Sequence, residues 1–204
     1  MSARQALLLI DLQNDFCPGG ALAVADGDQT IAVANRLAAE FCTRGEPVIA
    51  TLDWHPAGHG SFASTAGNIP GTVGELHGLP QVWWPDHAIQ HSPGAELHPE
   101  LDRSLISTQI CKGENPQIDS YSAFFDNGQR QQTHLHAWLQ QHAVTSLTVM
   151  GLATDYCVKY SVLDALALGY QVTLVSAGCR GVNLRPDDSQ IALVEMAKAG
   201  AVIL

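Results

Sequence analysis

Residues 147–175 read LTVMGLATDYCVKYSVLDALALGYQVTLV, and this stretch decides the fold. Two short apolar runs, at 147–153 and 171–178, flank a segment at 156–169 that has helical spacing and ends in Gly169. A strand, a helix and a second strand in this order predict two parallel strands of one sheet, joined by a right-handed crossover.

The same alternation extends through the rest of the chain. Further apolar runs typical of buried strands lie at 6–12, 47–53, 105–113 and 201–204, and further helical spacing lies at 28–44, 127–142 and 186–199. Six such runs between helices predict an α/β fold with a six-stranded parallel sheet that is covered on both faces. No repeat or linker interrupts the pattern, so we expect a single domain over 1–204. The Gly-, Pro- and His-rich segment 54–104 lacks periodicity and is predicted to be a long functional loop.

Composition and charge exclude several classes of partner. Twenty acidic residues against ten basic ones give a net charge of −10, which argues against a surface that reads nucleic acid. No apolar run is long enough for a signal peptide or a membrane span, so no membrane partner is expected. The five cysteines are odd in number and form no CxxC pair, which favours a reducing cytosol over a disulfide framework.

Reactive side chains follow the predicted strands. Asp11, Asp53, Lys112 and the Gly151–Cys157 turn all come at strand ends, which meet at one edge of a parallel sheet, where ligands bind. Amides at a helix start would lower the pKa of the Cys157 thiol and receive an oxyanion. Asp11 would accept the thiol proton, and Lys112 would offset the charges. The alternatives are a packed cysteine, an aspartate that caps a turn and a solvated lysine.

Histidines and an aspartate suggest a metal centre. Asp53 and His55 lie two apart on an extended segment and so point to the same side, and His87 offers a third ligand. One carboxylate and two imidazoles suit Zn²⁺, Fe²⁺ or Mn²⁺, although nine histidines make a chance DxH easy to obtain. We expect four other histidines to be loop or surface residues: His59, His77, His91 and His98.

Five collinear motifs between residues 7 and 175 then identify a family. They are LLLIDLQNDFCPGGALAV, DWHPAGHGSF, WPDHAIQHSPGAELHPEL, KGENPQIDSYSAFFDN and GLATDYCVKYSVLDALALGYQVTLV. In this order the sequence closely resembles the nicotinamidases of the isochorismatase-like cysteine hydrolases. The resemblance implies a three-layer α/β/α, Rossmann-like fold. It also implies cytoplasmic hydrolysis of nicotinamide, with pyrazinamide as an analogue, to nicotinate and ammonia through a cysteine thioester, in NAD salvage.

The resemblance also assigns roles to individual residues. It implies a catalytic triad of Asp11, Lys112 and Cys157. It implies one divalent metal ion, Zn²⁺ before Fe²⁺ or Mn²⁺, held by Asp53, His55 and His87. It places Phe16, Trp84 and Tyr121 around the pyridine ring. It places the amides of Ala153 and Cys157 in the oxyanion hole, with a cis peptide bond between Leu152 and Ala153.

Two departures from the family pattern and three rival activities remain. Some members have a metal-binding histidine eight residues after the aspartate, where this chain has Ser61, so we expect water to complete the metal shell near Ser61. His91 and Ser92 also replace a common Gly-Thr pair. The rivals are a related amidohydrolase for carbamoyl or ureido substrates, an isochorismatase, which does not use the cysteine, and a non-catalytic domain. The native metal and the oligomeric state, including a homo-oligomer, stay open.

Overall fold

The computed structural model describes residues 4–204. Its strands are β1 (Arg4–Ile10), β2 (Val48–Asp53), β3 (Val73–Leu76), β4 (Leu79–Val82), β5 (Thr108–Lys112), β6 (Val144–Leu152), β7 (Gln171–Arg180) and β8 (Val202–Ile203). Its helices are α1 (Gln29–Thr43), α2 (Ala63–Ala66), α3 (Leu135–Gln141), α4 (Lys159–Ala167) and α5 (Asp188–Ala199). Within residues 4–204, no helix combines the length and apolar character needed to cross a lipid bilayer.

Six of these strands form one parallel sheet in the order β5-β2-β1-β6-β7-β8, as predicted. The chain builds outward from β1 in one direction and from β6 in the other, so the strand order reverses between them. Right-handed crossovers therefore place α1 on one face of the sheet and α3, α4 and α5 on the other. The crevice at such a reversal is where open α/β sheets bind their ligands.

The core lies around the central strands. Residues 6–10 of β1 and all six residues of β2 are buried, because helices or loops cover both faces of the sheet. Apolar burial on both faces explains why these strands read as continuous hydrophobic runs in the sequence. It also leaves little freedom at their carboxyl ends, where Asp11 and Asp53 lie.

The predicted helix at 127–142 is shorter in the structure and begins at Leu135. The carboxylate of Asp126 accepts hydrogen bonds from the amides of Gly128, Arg130 and Gln131. These bonds give the backbone an alternative to helix formation, which is a common effect of aspartate. The helical spacing of residues 127–134 therefore did not indicate a helix.

The segments 156–169 and 105–113 also differ from the prediction. The segment 156–169 begins with a π-helical turn (Thr154–Val158), and only then continues as α4. The strand predicted at 105–113 covers Thr108–Lys112, because a 3₁₀ turn capped by the side chain of Asp102 occupies Arg103–Leu105.

The segment 54–104 is long, as predicted, but it contains regular structure. It includes the short helix α2, the antiparallel hairpin of β3 and β4, and a 3₁₀ turn at Pro93–Ala95. Its strands have only four residues each and contain Gly74 and Pro80, residue types that are rare inside strands, which is why the sequence did not reveal the hairpin.

Candidate active site

The carboxyl edge of the sheet brings the four predicted strand-end residues together. Asp11 follows β1 directly, Asp53 ends β2, Lys112 ends β5, and Cys157 lies in the π-helical turn after β6. Asp53 and Lys112 are register partners in the β2–β5 pair. Since β1 and β6 flank the reversal of strand order, Asp11 and Cys157 meet at the crevice predicted for a ligand.

Lys112 is the centre of this cluster. Its ammonium donates hydrogen bonds to Asp53 Oδ1 (2.5 Å), to the carbonyl oxygen of Ser120 (2.9 Å) and to Cys157 Sγ (3.4 Å). Asp11 Oδ2 lies 2.9 Å from the same nitrogen. The lysine side chain is fully buried, and burial of a cation is tolerated only when opposite charges and hydrogen bonds compensate for lost water. A solvated lysine, the alternative for this position, is therefore excluded.

The two carboxylates of the cluster have opposite pKa shifts. Burial raises the pKa of Asp11, and the attraction of Lys112 does not fully compensate. Burial acts on Asp53 in the same sense, but Lys112 and His55 outweigh it and hold the pKa of Asp53 well below its usual range. Burial would lower the pKa of Lys112, yet the two carboxylates raise it well above its ordinary value, so the lysine stays charged.

The expected depression of the Cys157 pKa is wrong for the structure. Burial raises the pKa of the thiol well above its ordinary value, and the charges of Asp11 and Asp53 add to this effect. Lys112 opposes the shift but does not overcome it. Cys157 thus rests as a thiol and needs a base to become a nucleophile.

Asp53, His55 and His87 converge as a possible metal centre. Asp53 Oδ2 lies 3.5 Å from His55 Nε2 and 3.7 Å from His87 Nε2. The Nδ1 atoms face backbone carbonyls, that of Gly113 at 2.8 Å and that of Pro85 at 2.7 Å, which fixes the tautomer that leaves Nε2 with its lone pair.

The convergence fits a divalent cation. His55 is fully buried, and its Nε2 has no hydrogen-bond partner within residues 4–204. Such a lone pair, aimed at a carboxylate and a second imidazole, is costly without an electrophile between them. One carboxylate and two imidazoles with backbone-bound Nδ1 atoms form a donor set that suits Zn²⁺ or Fe²⁺.

His59 lies close to the possible metal centre. It lies in a loop, as predicted, but is fully buried, with its ring centroid 4.4 Å from that of His55. Its Nε2 donates to the carbonyl of Asn115, and its Nδ1 lies 2.8 Å from Ser61 Oγ. The hydroxyl of Ser61 is therefore engaged with His59, and its expected role beside metal-bound water stays a prediction.

Aromatic side chains cover the opening of the cluster. The cavity beside Cys157 is lined by Phe16, Leu22, Trp84, Tyr121, Tyr156 and Val182, and also by the polar residues Asp53, His87 and Asp119. The predicted ring-lining residues Phe16, Trp84 and Tyr121 thus share one cavity with the cysteine. The indole Nε1–H of Trp84 donates to Tyr121 Oη at 3.2 Å, which fixes two of the walls against each other.

The turn that carries Cys157 has the predicted backbone geometry. The Leu152–Ala153 peptide bond is cis, as the family resemblance implied, and Ala153 also lines the cavity. The carbonyl of Ala153 accepts hydrogen bonds from the amides of Tyr156 and Val158, on either side of Cys157.

Several residues around the site escaped sequence reasoning. The sequence predicts Tyr156 only as part of the helix at 156–169, but in the structure it lines the cavity next to Cys157. Asp155 accepts hydrogen bonds from the amides of Val182 and Asn183 and holds that wall in place. Thr51, a polar residue in the otherwise apolar run 47–52, hydrogen-bonds to Asp11, and its polarity in a buried strand was the signal that could have found it.

Comparisons with known proteins agree with this geometry. The isochorismatase domain model matches residues 5–204. The nicotinamidase of Escherichia coli (strain K12) is 61% identical over 199 residues, which cover 98% of this chain and 93% of that protein. The solved nicotinamidase of Acinetobacter baumanii is 38% identical with a TM-score of 0.94, covering 100% of this chain and 97% of that chain. The pyrazinamidase of Pyrococcus horikoshii, solved in complex with zinc, is 34% identical with a TM-score of 0.81 and 98% coverage of both chains. This chain belongs to the isochorismatase domain family.

Proposed function

We propose that the protein hydrolyses nicotinamide to nicotinate and ammonia. One observation carries this proposal: Cys157, Asp53 and His87 open into a single cavity with aromatic walls. A nucleophile and a metal-binding group on the same small apolar cavity suit a flat ring that carries both a carboxamide and a ring nitrogen. The name and the high identity of the Escherichia coli relative support the same substrate.

Asp53, His55 and His87 would hold a divalent cation, with Zn²⁺ preferred to Fe²⁺ or Mn²⁺. Held by these three residues, the cation would supply a Lewis acid for a ring nitrogen of the substrate, and the position of its ligands would orient the ring. The zinc complex of the Pyrococcus horikoshii pyrazinamidase supports this choice of ion. Asp53 also accepts a hydrogen bond from Lys112, which ties the metal-binding group to the triad.

The covalent steps belong to the triad. Asp11 accepts the proton of Cys157, and the sulfur attacks the carboxamide carbon to form a tetrahedral intermediate. The amides of Ala153 and Cys157 receive the oxyanion, and Lys112 offsets the negative charge of the cluster. Asp11 then returns the proton to the departing ammonia, and water hydrolyses the thioester. The raised pKa of Asp11 suits a group that must hold this proton between steps.

The aromatic walls set the substrate class. Phe16, Trp84 and Tyr121 offer flat apolar contacts to a six-membered ring, so pyrazinamide is expected to be an analogue substrate. The cysteine of the triad favours amide hydrolysis over the vinyl-ether cleavage of an isochorismatase, because that cleavage does not use a cysteine. Nicotinate is a precursor for the rebuilding of NAD, which places the reaction in NAD salvage. The five free cysteines are consistent with action in a reducing cytosol.

Ammonia release from nicotinamide by the purified protein tests the proposal. Nicotinamide, pyrazinamide and an N-carbamoyl amino acid are compared as substrates, with Cys157→Ala as the blank and metal analysis of the same samples. We expect release from the first two substrates only. Release from the N-carbamoyl compound alone would show that the protein is a different amidohydrolase of the family.

A further inference from the structure

Thr51 holds the catalytic acid of the proposed reaction from the neighbouring strand. It lies in β2, two residues before Asp53, and is fully buried. Its Oγ1 accepts a hydrogen bond from the backbone N–H of Asp11 at 3.1 Å and donates to Asp11 Oδ1 at 2.5 Å. One hydroxyl thus binds both the main chain and the side chain of Asp11, and it uses its only proton and one lone pair to do so.

The backbone of Asp11 needs such support. Its φ of 47° lies in the left-handed region, which residues with a Cβ seldom adopt. Conformations of this kind persist where the surrounding structure holds them, and they cluster at functional sites. The hydrogen bond from the Asp11 amide to Thr51 is one such restraint, and the carbonyl of Asp11 is bound in turn by the amide of Gln13.

The two oxygens of the Asp11 carboxylate have different surroundings. Oδ1 is committed to Thr51. Oδ2 lies near Lys112, but the three hydrogen bonds of that ammonium go to Asp53, Ser120 and Cys157. Oδ2 is buried 2.9 Å from that ammonium, and beyond this ion pair it has no hydrogen-bond partner within residues 4–204. It is therefore the oxygen with a lone pair available for a proton.

We propose that Thr51 is a positioning residue for proton transfer, an inference that rests on the proposed function. Its hydroxyl occupies Oδ1 and turns Oδ2 toward the reacting atoms. The S–H bond of Cys157 breaks as an O–H bond forms on Oδ2, and the sulfur electron pair forms the bond to the carboxamide carbon. When the C–N bond breaks, the same Oδ2 proton goes to the nitrogen, which leaves as ammonia.

Thr51→Val and Thr51→Ser separate the hydroxyl from the shape of the side chain. Valine keeps the branched shape but leaves the Asp11 amide and Oδ1 unsatisfied, whereas serine keeps the hydroxyl. We expect kcat for nicotinamide to fall about 10–100-fold in Thr51→Val, the scale of one lost hydrogen bond to a charged group. KM and bound metal should stay at wild-type values. Thr51→Ser should retain kcat within about 3-fold.

A double-mutant cycle with Asp11→Asn completes the test. In the Asp11→Asn protein, adding Thr51→Val should lower kcat by less than about 2-fold, because no carboxylate remains to be positioned. If Thr51→Val does not fold, as judged by thermal melting, Thr51→Ala takes its place in the cycle. Wild-type kcat in the hydroxyl-free variant, or an equal loss in Thr51→Ser, would overturn the inference. The inference would also be overturned if Thr51→Val lowered kcat as much in the Asp11→Asn protein as in the wild-type protein. If the wild-type protein releases no ammonia from nicotinamide, the proposed function fails together with the inference. If the wild-type protein is active and Thr51→Val is equally active, only the inference fails.

Discussion

Asp11 and Asp53 end neighbouring strands and contact the same lysine, yet their surroundings differ. Asp11 faces Thr51 and Cys157, and its pKa is raised by burial. Asp53 faces two imidazoles, and its pKa is held well below the ordinary range. We call Asp11, Cys157 and Thr51 the proton-transfer side, and Asp53, His55 and His87 the metal-binding side.

Under the proposed mechanism, this difference gives the two aspartates different roles. A carboxylate whose pKa is raised can accept and return a proton, whereas one whose pKa is depressed stays an anion and suits a cation. The opposite pKa shifts of the two carboxylates therefore indicate which one suits general acid–base catalysis and which one suits metal binding. Lys112 lies between both and stabilises each as an anion.

The largest effect is expected on the proton-transfer side. Cys157→Ala removes the nucleophile and should lower ammonia release by at least roughly 10⁴-fold, as in other enzymes that lose a covalent nucleophile. Bound metal should be unchanged, because the metal-binding side keeps its ligands. Ammonia assays and metal analysis check both. Cys179→Ala, at a buried cysteine that is not in the cluster, is the control and should stay active. Near wild-type turnover in Cys157→Ala would contradict the covalent mechanism.

A change on the metal-binding side should act through the cation. His55→Ala should weaken zinc binding by at least about 100-fold. Replacing a residue that only hydrogen-bonds to a metal ligand typically lowers metal affinity by about 10–100-fold, and loss of the ligand itself should cost more. Competition with a chromophoric chelator measures this affinity without substrate. His77→Asn is the control, because His77 is exposed and its φ of 47° is a conformation that asparagine tolerates. Equal zinc affinity in the two variants would exclude His55 as a ligand.

Lys112 allows the link between the two sides to be tested. Its ammonium lowers the pKa of the Cys157 thiol, so its removal should raise that pKa further and leave less thiolate near neutral pH. Lys112→Met keeps most of the length of the side chain but removes the charge. Alkylation of Cys157 at neutral pH should slow by about 10-fold or more, which corresponds to one pKa unit.

Mass spectrometry of the labelled peptides gives the rate for each cysteine. The exposed residues Cys42 and Cys111 are internal controls and should react alike in both proteins. An unchanged rate at Cys157 would reduce Lys112 to a structural role.

The smallest effect is expected at the aromatic wall, which neither side uses for bond-making. Tyr121→Phe removes the hydrogen-bond partner of Trp84 and should raise KM about 2–10-fold, the scale of one neutral hydrogen bond, without a change in kcat. Tyr170→Phe is the same substitution at a tyrosine bonded to His136, and it should change neither constant. A loss of kcat in Tyr121→Phe would place that residue among the reacting groups.

The sequence predicted the parts of the molecule in which one strong pattern dominates. Six apolar runs predicted a parallel sheet with the correct number of strands. The expectation that all six are buried on both faces is wrong for β5 and β8, which lie at the two edges of the sheet and are partly exposed. The strand ends then predicted that Asp11, Asp53, Lys112 and Cys157 would meet. The helix predicted at 127–142 was partly wrong, because the side-chain bonds of Asp126 override helical spacing.

Other features of the site depend on three-dimensional contacts that no local pattern encodes. The pKa of Cys157 was expected to fall at a helix start, but burial beside two carboxylates raises it. The burial of His59 follows from packing against His55 and Phe62, which are near it only in the fold. The role of Thr51 likewise appears only when β1 and β2 are paired.

The division between the two carboxylates is tested most directly by a pair of matched substitutions, Asp11→Asn and Asp53→Asn. Both keep the size of the side chain and remove one negative charge, and kcat and bound zinc are measured in each. Asp11→Asn should keep its zinc and lose about 10²–10⁴-fold in kcat, the usual worth of general acid–base catalysis. Asp53→Asn should lose its zinc. Equal zinc loss in both variants, or an Asp11→Asn protein with wild-type kcat, would contradict the account.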